Sequence, residues 1–203
     1  MLHQRWDEAV ETALSALRIA RPADYASRNT CCEVLAHGGA PLEAANAVRR
    51  ALALDTHAPP TTRSLLGRAL LLAGDPETAL PELRWCAARL PDYVPCFHSI
   101  IVAAIETGRV DEAKHALREA IRLQPHWIPK NHTGAWFFRH ETDAERFKTA
   151  FFAAGWQGYM ANNQTPAKDA LTNEASHRSA GGCVTSPSRP NADLRATKPL
   201  GNA

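Results

Sequence analysis

Residues 72–91 read LAGDPETALPELRWCAARLP, and residues 106–125 read ETGRVDEAKHALREAIRLQP. Gly74, Ala79, Leu83 and Pro91 recur as Gly108, Ala113, Leu117 and Pro125, each 34 positions later. A fixed period of this size marks a solenoid, in which each unit buries its apolar face only against its neighbours. An earlier copy lies 35 residues upstream, at Gly39, Ala44, Val48 and Ala51. The extra residue falls in the linker carrying Pro59 and Pro60, where an insertion costs little. Ala9, Ala13 and Ala16 precede Ala44, Val48 and Ala51 by a further 35. The expected organisation is a half unit over 5–22 and three full units over about 23–57, 58–92 and 93–126.

The spacing within each unit dictates helices. Ala79, Leu83 and Cys86 stand at i, i+4 and i+7, as do Ala113, Leu117 and Ala120, so each trio shares one helix face. The small Ala admits a close neighbour, and the larger residue fills the space beside it. Pro91 and Pro125 close their units, because proline cannot continue a helix and disfavours helical geometry in the residue before it. Gly39, Gly74 and Gly108 sit where a first helix must end in a left-handed turn. Asp75 and Glu77, like Asp111 and Glu112, then place acidic groups at the positive N-terminal end of the next helix.

These slots resemble those of the tetratricopeptide repeat, a 34-residue helix–turn–helix with the pattern W-x2-L-G-x2-Y, A-x3-F, then P. Leu66-Gly67 with Leu70 matches its first part, Ala79-x3-Leu83 and Ala113-x3-Leu117 its second, and Pro91 and Pro125 its last. The resemblance implies an all-α, right-handed superhelix of antiparallel helix pairs.

Residues 127–156 hold eight of the chain's fourteen aromatic residues: Trp127, Trp136, Phe137, Phe138, Phe147, Phe151, Phe152 and Trp156. Thr142 with Glu145 predicts a capping box. Ala144, Phe147, Phe151 and Ala154 predict an amphipathic helix stopped by Gly155. The segment reads as an aromatic cap over the unmatched face of the last unit, and alternatively as an aromatic ligand pocket. Phe138-Arg139, Asp143-Ala144, Glu145-Arg146-Phe147 and Ala154-Gly155 also resemble the extreme C-terminal segment of bacterial class III adenylate/guanylate cyclases and of related winged-helix regulators. Those proteins carry tetratricopeptide repeats behind their catalytic or DNA-binding domain. The chain lacks the strand-rich segment that would carry such a domain's metal-binding aspartates. The resemblance therefore implies a detached C-terminal part of a signalling protein, or a gene remnant, and not an enzyme.

Composition narrows the function classes. Residues 157–203 hold five basic and three acidic residues, which leaves eighteen of each in residues 1–156. A formally neutral body lacks the basic surplus that phosphate contacts need, so no nucleic-acid partner is expected. No run approaches the roughly 20 apolar residues of a membrane span, and the first twenty residues lack a signal-peptide core, so a cytoplasmic location is expected. The segment 157–203 is poor in branched aliphatics and reads as a disordered tail.

No catalytic, cofactor or metal constellation is expected. No G-x-S-x-G, no H-E-x-x-H and no Gly-rich loop followed by Lys-Ser/Thr occurs. Cys31-Cys32 falls in the helix-packing slots of Leu66-Gly67, so a buried structural role is expected. Function is therefore assigned to the inner groove lined by the first helix of each unit. Its expected lining is Asn29, Glu33, Ser64, Arg68, His98 and Val102. Several basic groups there would grip a peptide carboxylate, but only Asn29 and Arg68 fit and Glu33 opposes an anion. A mixed groove for an internal peptide or an intramolecular partner is expected, making the chain a non-catalytic protein-interaction or regulatory module. The helix Trp6–Ala20 reads as a second helix without its first. Its apolar residues, Ala9, Ala13, Leu14, Ala16 and Leu17, are expected to leave a strip open to self-association.

Overall fold

The computed structural model describes residues 2–21, 24–126 and 137–157. Among them stand eight α-helices: α1 (Leu2–Ile19), α2 (Tyr25–His37), α3 (Pro41–Leu54), α4 (Pro60–Leu72), α5 (Pro76–Arg89), α6 (Val94–Glu106), α7 (Val110–Leu123) and α8 (Glu141–Ala153). They build an all-α solenoid of the tetratricopeptide type. Helices α2 and α3, α4 and α5, and α6 and α7 pack as pairs, while α4 also touches α2 on one side and α6 on the other, which makes an inner layer. Trp127, Trp136 and the tail expected to be disordered lie outside the described residues.

Local chemistry sets the helix boundaries. Pro41, Pro60 and Pro76 open their helices, where a missing N–H leaves no bond unmade. The carboxylates of Asp24 and Asp75 accept from the N–H groups of Ser27 and Thr78, each at 3.1 Å, and cap α2 and α5. Gly39, Gly74 and Gly108 have φ of 89°, 85° and 74°, as the sequence requires. Each turn closes with a bond back into the preceding helix: Ala40 N–H to Leu35 O at 2.8 Å, Asp75 N–H to Leu70 O at 3.0 Å and Arg109 N–H to Ala104 O at 2.7 Å. Gly155, at φ 99°, ends α8 the same way, with Trp156 N–H on Phe151 O at 3.0 Å.

The repeated slots make the core. Ala44, Val48, Ala51, Ala79, Leu83, Cys86, Ala113, Leu117 and Ala120 are all buried. A Cβ at Gly67 would lie 2.6 Å from Leu83 Cγ and 3.1 Å from Ala79 O, so α4 and α5 approach as closely as their backbones allow. Helix α1 packs on α2, with Val10 and Trp6 against Gly38. The expected apolar strip on α1 is thereby largely used: Ala13 is buried, Leu14 and Leu17 pack against the core, and Ile19 is left 85% exposed.

One local expectation is corrected. Helix α8 begins at Glu141 after an extended His140, with no side-chain cap, so Thr142 lies inside the helix and forms no capping box. The cause is non-local. Arg139 N–H donates to His37 O at 2.9 Å, which holds the chain extended on arrival. Asp143 serves instead as an ion-pair partner of Arg146, at 3.1 Å.

Gly67→Ala is expected to destabilise the chain by about 1–3 kcal/mol, because Leu83 must leave its rotamer or the two helices must separate. Urea titration checks this, and an unchanged midpoint would mean that α4 and α5 are less closely packed than described.

Candidate functional site

The period that stacks the units also aligns their first helices. Helices α2, α4 and α6 therefore present their C-terminal ends, at His37, Leu72 and Glu106, along one edge of the inner layer. The negative ends of three helix dipoles gather there. Residues 137–157 lie along this edge. Arg139 Nη1 donates to Gly38 O at 3.3 Å, and its Nη2 pairs with Asp7 of α1 at 2.7 Å. Arg146 Nη2 donates to Leu71 O at 3.1 Å, while its Nε and Nη2 reach Glu106, each at 2.9 Å. The Glu106 bond raises the pKa of Arg146 further above its usual range.

Aromatic rings fill the space between the arginines. Phe138 and Phe151 are each 1% exposed, and Phe147, Ala144, Ala150 and Ala154 are buried beside them. All four residues of the expected apolar stripe thus face inward. Phe138 stacks on His37 at 5.1 Å and meets Phe147 at 5.0 Å, while Phe151 meets His98 edge-on at 5.7 Å. The cap was expected on the last unit alone. It does pack on α6, but it also reaches the ends of α4 and α2.

His37 was not among the expected groove residues, yet it is central to this contact. It is buried, and its Nδ1 lies 3.2 Å from Phe137 O, which assigns the ring proton to Nδ1. Burial, followed by the charge of Arg68, pushes its pKa down to about 3. The ring is neutral at pH 7, and its Nε2 is a buried acceptor without a hydrogen-bond partner.

The expected groove residues divide. Glu33 and Arg68 form an ion pair, and with His98 they line a cavity of about 250 Å³ together with His37, Phe147 and Phe151. Asn29 lies on the other side of that ion pair, donating to Thr62 at 3.2 Å. Ser64 and Val102 are corrections. Ser64 is 1% exposed and accepts from Cys96 Sγ at 3.3 Å, and Val102 is fully enclosed, so neither offers a surface to a partner. The thiols follow the packing reading: Cys32 and Cys86 are buried and Cys31 partly so, all are free, and burial lifts Cys32 to about 11. Among the described residues no group of three His, Cys, Asp or Glu stands close enough together to hold a metal ion, and no helix is long and apolar enough to cross a membrane.

No family model matches the sequence, and no curated protein matches it. Solved structures do match in fold. A crystal structure of MamA is 19% identical, with a TM-score of 0.50 over 73% of this chain and 88% of that one. A second MamA crystal structure gives the same identity and TM-score over 74% of this chain and 83% of that one. The MamA RS-1 ArsTM double mutant is 20% identical at a TM-score of 0.50, over 74% and 89%. At these identities the likeness bears on the helical repeat fold alone.

The buried histidine gives a pH dependence. Its folded pKa of about 3 lies below the unfolded value near 6.5, so the unfolded chain binds the extra proton between the two. Stability is therefore full above about pH 6.5 and falls as the pH drops toward 3. Between pH 7 and pH 5 the expected loss is about 2 kcal/mol. His37→Gln removes the titration and should flatten the profile over that range in urea titrations. An equal slope in the variant would contradict the burial of a neutral ring.

Proposed function

We propose that this chain is a non-catalytic protein-interaction module whose partner binds as an amphipathic helix along the inner layer. The observation that carries this is α8 itself. An amphipathic helix of the chain's own sequence lies on the C-terminal ends of the inner helices, with phenyl rings inward and Arg146 on Glu106 and the Leu71 carbonyl. The surface that receives it is chemically specific. It offers carboxylates and carbonyls at its edge and apolar space behind them, so it selects an apolar helix face flanked by arginine. Glu33, Arg68, His98 and Asn29 are the expected residues that remain on this reading, joined by His37, Asp7 and Glu106. The repeats over 5–126 supply the surface, and 127–156 supplies a ligand in cis.

A regulatory role follows from the same contact. A helix tethered by a short connector acts at an effective concentration of order mM, so a free partner must displace it. The alternative reading, a detached C-terminal part of a nucleotide cyclase or winged-helix regulator, rests on the resemblance of the sequence motif alone. Phe138, Arg139, Arg146 and Phe147 of that motif all serve the cap contact, which accounts for them without any catalytic domain. Self-association through α1 has one supporting observation, the exposed Ile19. A second copy covering it would make sedimentation concentration-dependent, and Ile19→Lys would remove that dependence.

The test uses a labelled peptide of residues 137–157 and the full chain. Arg146→Glu opposes Glu106 and the Leu71 carbonyl and should release the cis helix. Peptide is then expected to bind the variant at least about tenfold more tightly than the wild-type chain by fluorescence polarisation, because the wild-type groove is already filled. Adding Glu106→Arg to the variant should restore the cis pair and exclude the peptide again. Equal binding to all three chains, or binding to none, would contradict the proposal.

A further inference from the structure

His37 ends α2, and the cap closes over its ring. The ring stacks on Phe138 at 5.1 Å and meets the edge of Phe137 at 4.4 Å. Its Nδ1 bonds the Phe137 carbonyl at 3.2 Å, and its own carbonyl accepts from Arg139 N–H at 2.9 Å. Residues 137–139 thus leave His37 only 5% exposed. With the proton on Nδ1, Nε2 lies out of reach of water and has no hydrogen-bond partner.

A second proton has no place there. It would sit on Nε2, with neither an acceptor nor water to receive its N–H. The charged and titratable groups around the ring offer no compensation. Arg68 of α4 is a cation, and Glu33, one turn back on α2, is committed to Arg68. His98 of α6 lines the same cavity as His37. On the arriving segment, Arg139 is a further cation, paired with Asp7 of α1, and His140 lies against Gly39. Once residues 137–157 leave, the same ring meets water at the C-terminal end of α2, where the helix dipole favours a positive charge. Proton release and cap docking are therefore two sides of one equilibrium.

We infer that His37 is an acid-released latch: its neutral ring holds the cap on the repeats, and its protonation frees residues 137–157 and opens the inner edge to a partner. The sign follows from the two states. Burial, then Arg68, holds the pKa near 3 in the capped chain, against an ordinary value of 6.5 in the open one. The open chain binds the extra proton between those values, so docking is full above about pH 6.5 and weakens as the pH falls. From pH 7 to pH 5 the ratio of capped to open chain should fall about 25-fold. The acid sensitivity is thereby placed in one contact rather than in the solenoid as a whole. That the opened edge receives a partner rests on the reading of α8 as a ligand in cis; the latch itself does not.

The full chain is followed by amide hydrogen exchange at pH 7 and pH 5, corrected for intrinsic rates, with proton NMR of the histidine rings. Residues 144–153 should be less protected than α5 at both pH values, which marks release with the solenoid intact. Their protection should fall about 25-fold at pH 5. The His37 ring should titrate well below 6.5 in the wild-type chain and near 6.5 in Arg146→Glu, which frees the cap. His37→Gln takes no proton, so the protection of 144–153 should change by less than about threefold. Protection equal to that of α5 at both pH values would overturn the inference, as would no fall with acid, an equal fall in His37→Gln, or a wild-type His37 that titrates near 6.5. So would a low midpoint in Arg146→Glu when its residues 144–153 exchange freely. The wild-type series decides the matter even where His37→Gln fails to fold. Acid release of 144–153, in a chain whose Arg146→Glu variant binds no labelled peptide, would leave the latch standing and remove the partner reading.

Discussion

There is no room for a side chain at position 67. The methyl group of an alanine there would collide with Leu83 and approach the Ala79 carbonyl. This close approach of α4 to α5, echoed by the buried Ala44 and Ala113 in the other pairs, fixes how each first helix sits on its second. Repetition then does the rest. First helices separated by 34 or 35 residues must run in the same direction, so their C-terminal ends collect on one edge. Three ends together make a surface of carbonyl oxygens and negative dipole ends that no single helix pair would have. The positions of Arg139 and Arg146 follow from that edge.

Magnitudes separate what binds the cap from what aligns it. Fully burying Phe138 or Phe151 is worth about 2–3 kcal/mol each. The Arg146–Glu106 and Arg139–Asp7 pairs are partly exposed and contribute at most about 1 kcal/mol each. The phenyl rings thus supply most of the attraction, and the arginines choose the register. The same division explains how the surface discriminates between helices. Apolar surface alone would accept many sequences, whereas an edge of carbonyls and carboxylates penalises a helix that brings carboxylates to it.

Features set by near neighbours in sequence were legible in advance. The left-handed glycines at 39, 74, 108 and 155 are read from turn chemistry, and the Ala-x3-large slots from helical period. The stripe of Ala144, Phe147, Phe151 and Ala154 needs only one helix to be seen. What failed was set by distant residues. The capping box at Thr142 was plausible locally, but the His37 carbonyl holds the arriving chain extended. Period alone puts Ser64 and Val102 on the groove. Ten of the thirteen residues of α4 are buried, so periodicity no longer separates an outer face from an inner one on such a helix. Nothing in the sequence singles out His37, because a histidine at a helix end reads only as a favourable charge near a dipole. Only the rings of the cap turn it into a buried neutral acceptor.

The central claim is that α8 is held on the ends of the inner helices in the free chain. Native-state hydrogen exchange of the amides of residues 144–153 tests it most directly. Protection within about tenfold of that in α6 is expected, since α8 packs on α6 and Phe151 meets His98 there. Exchange of those amides at the rate of an unfolded peptide, with α4 to α7 still protected, would contradict it.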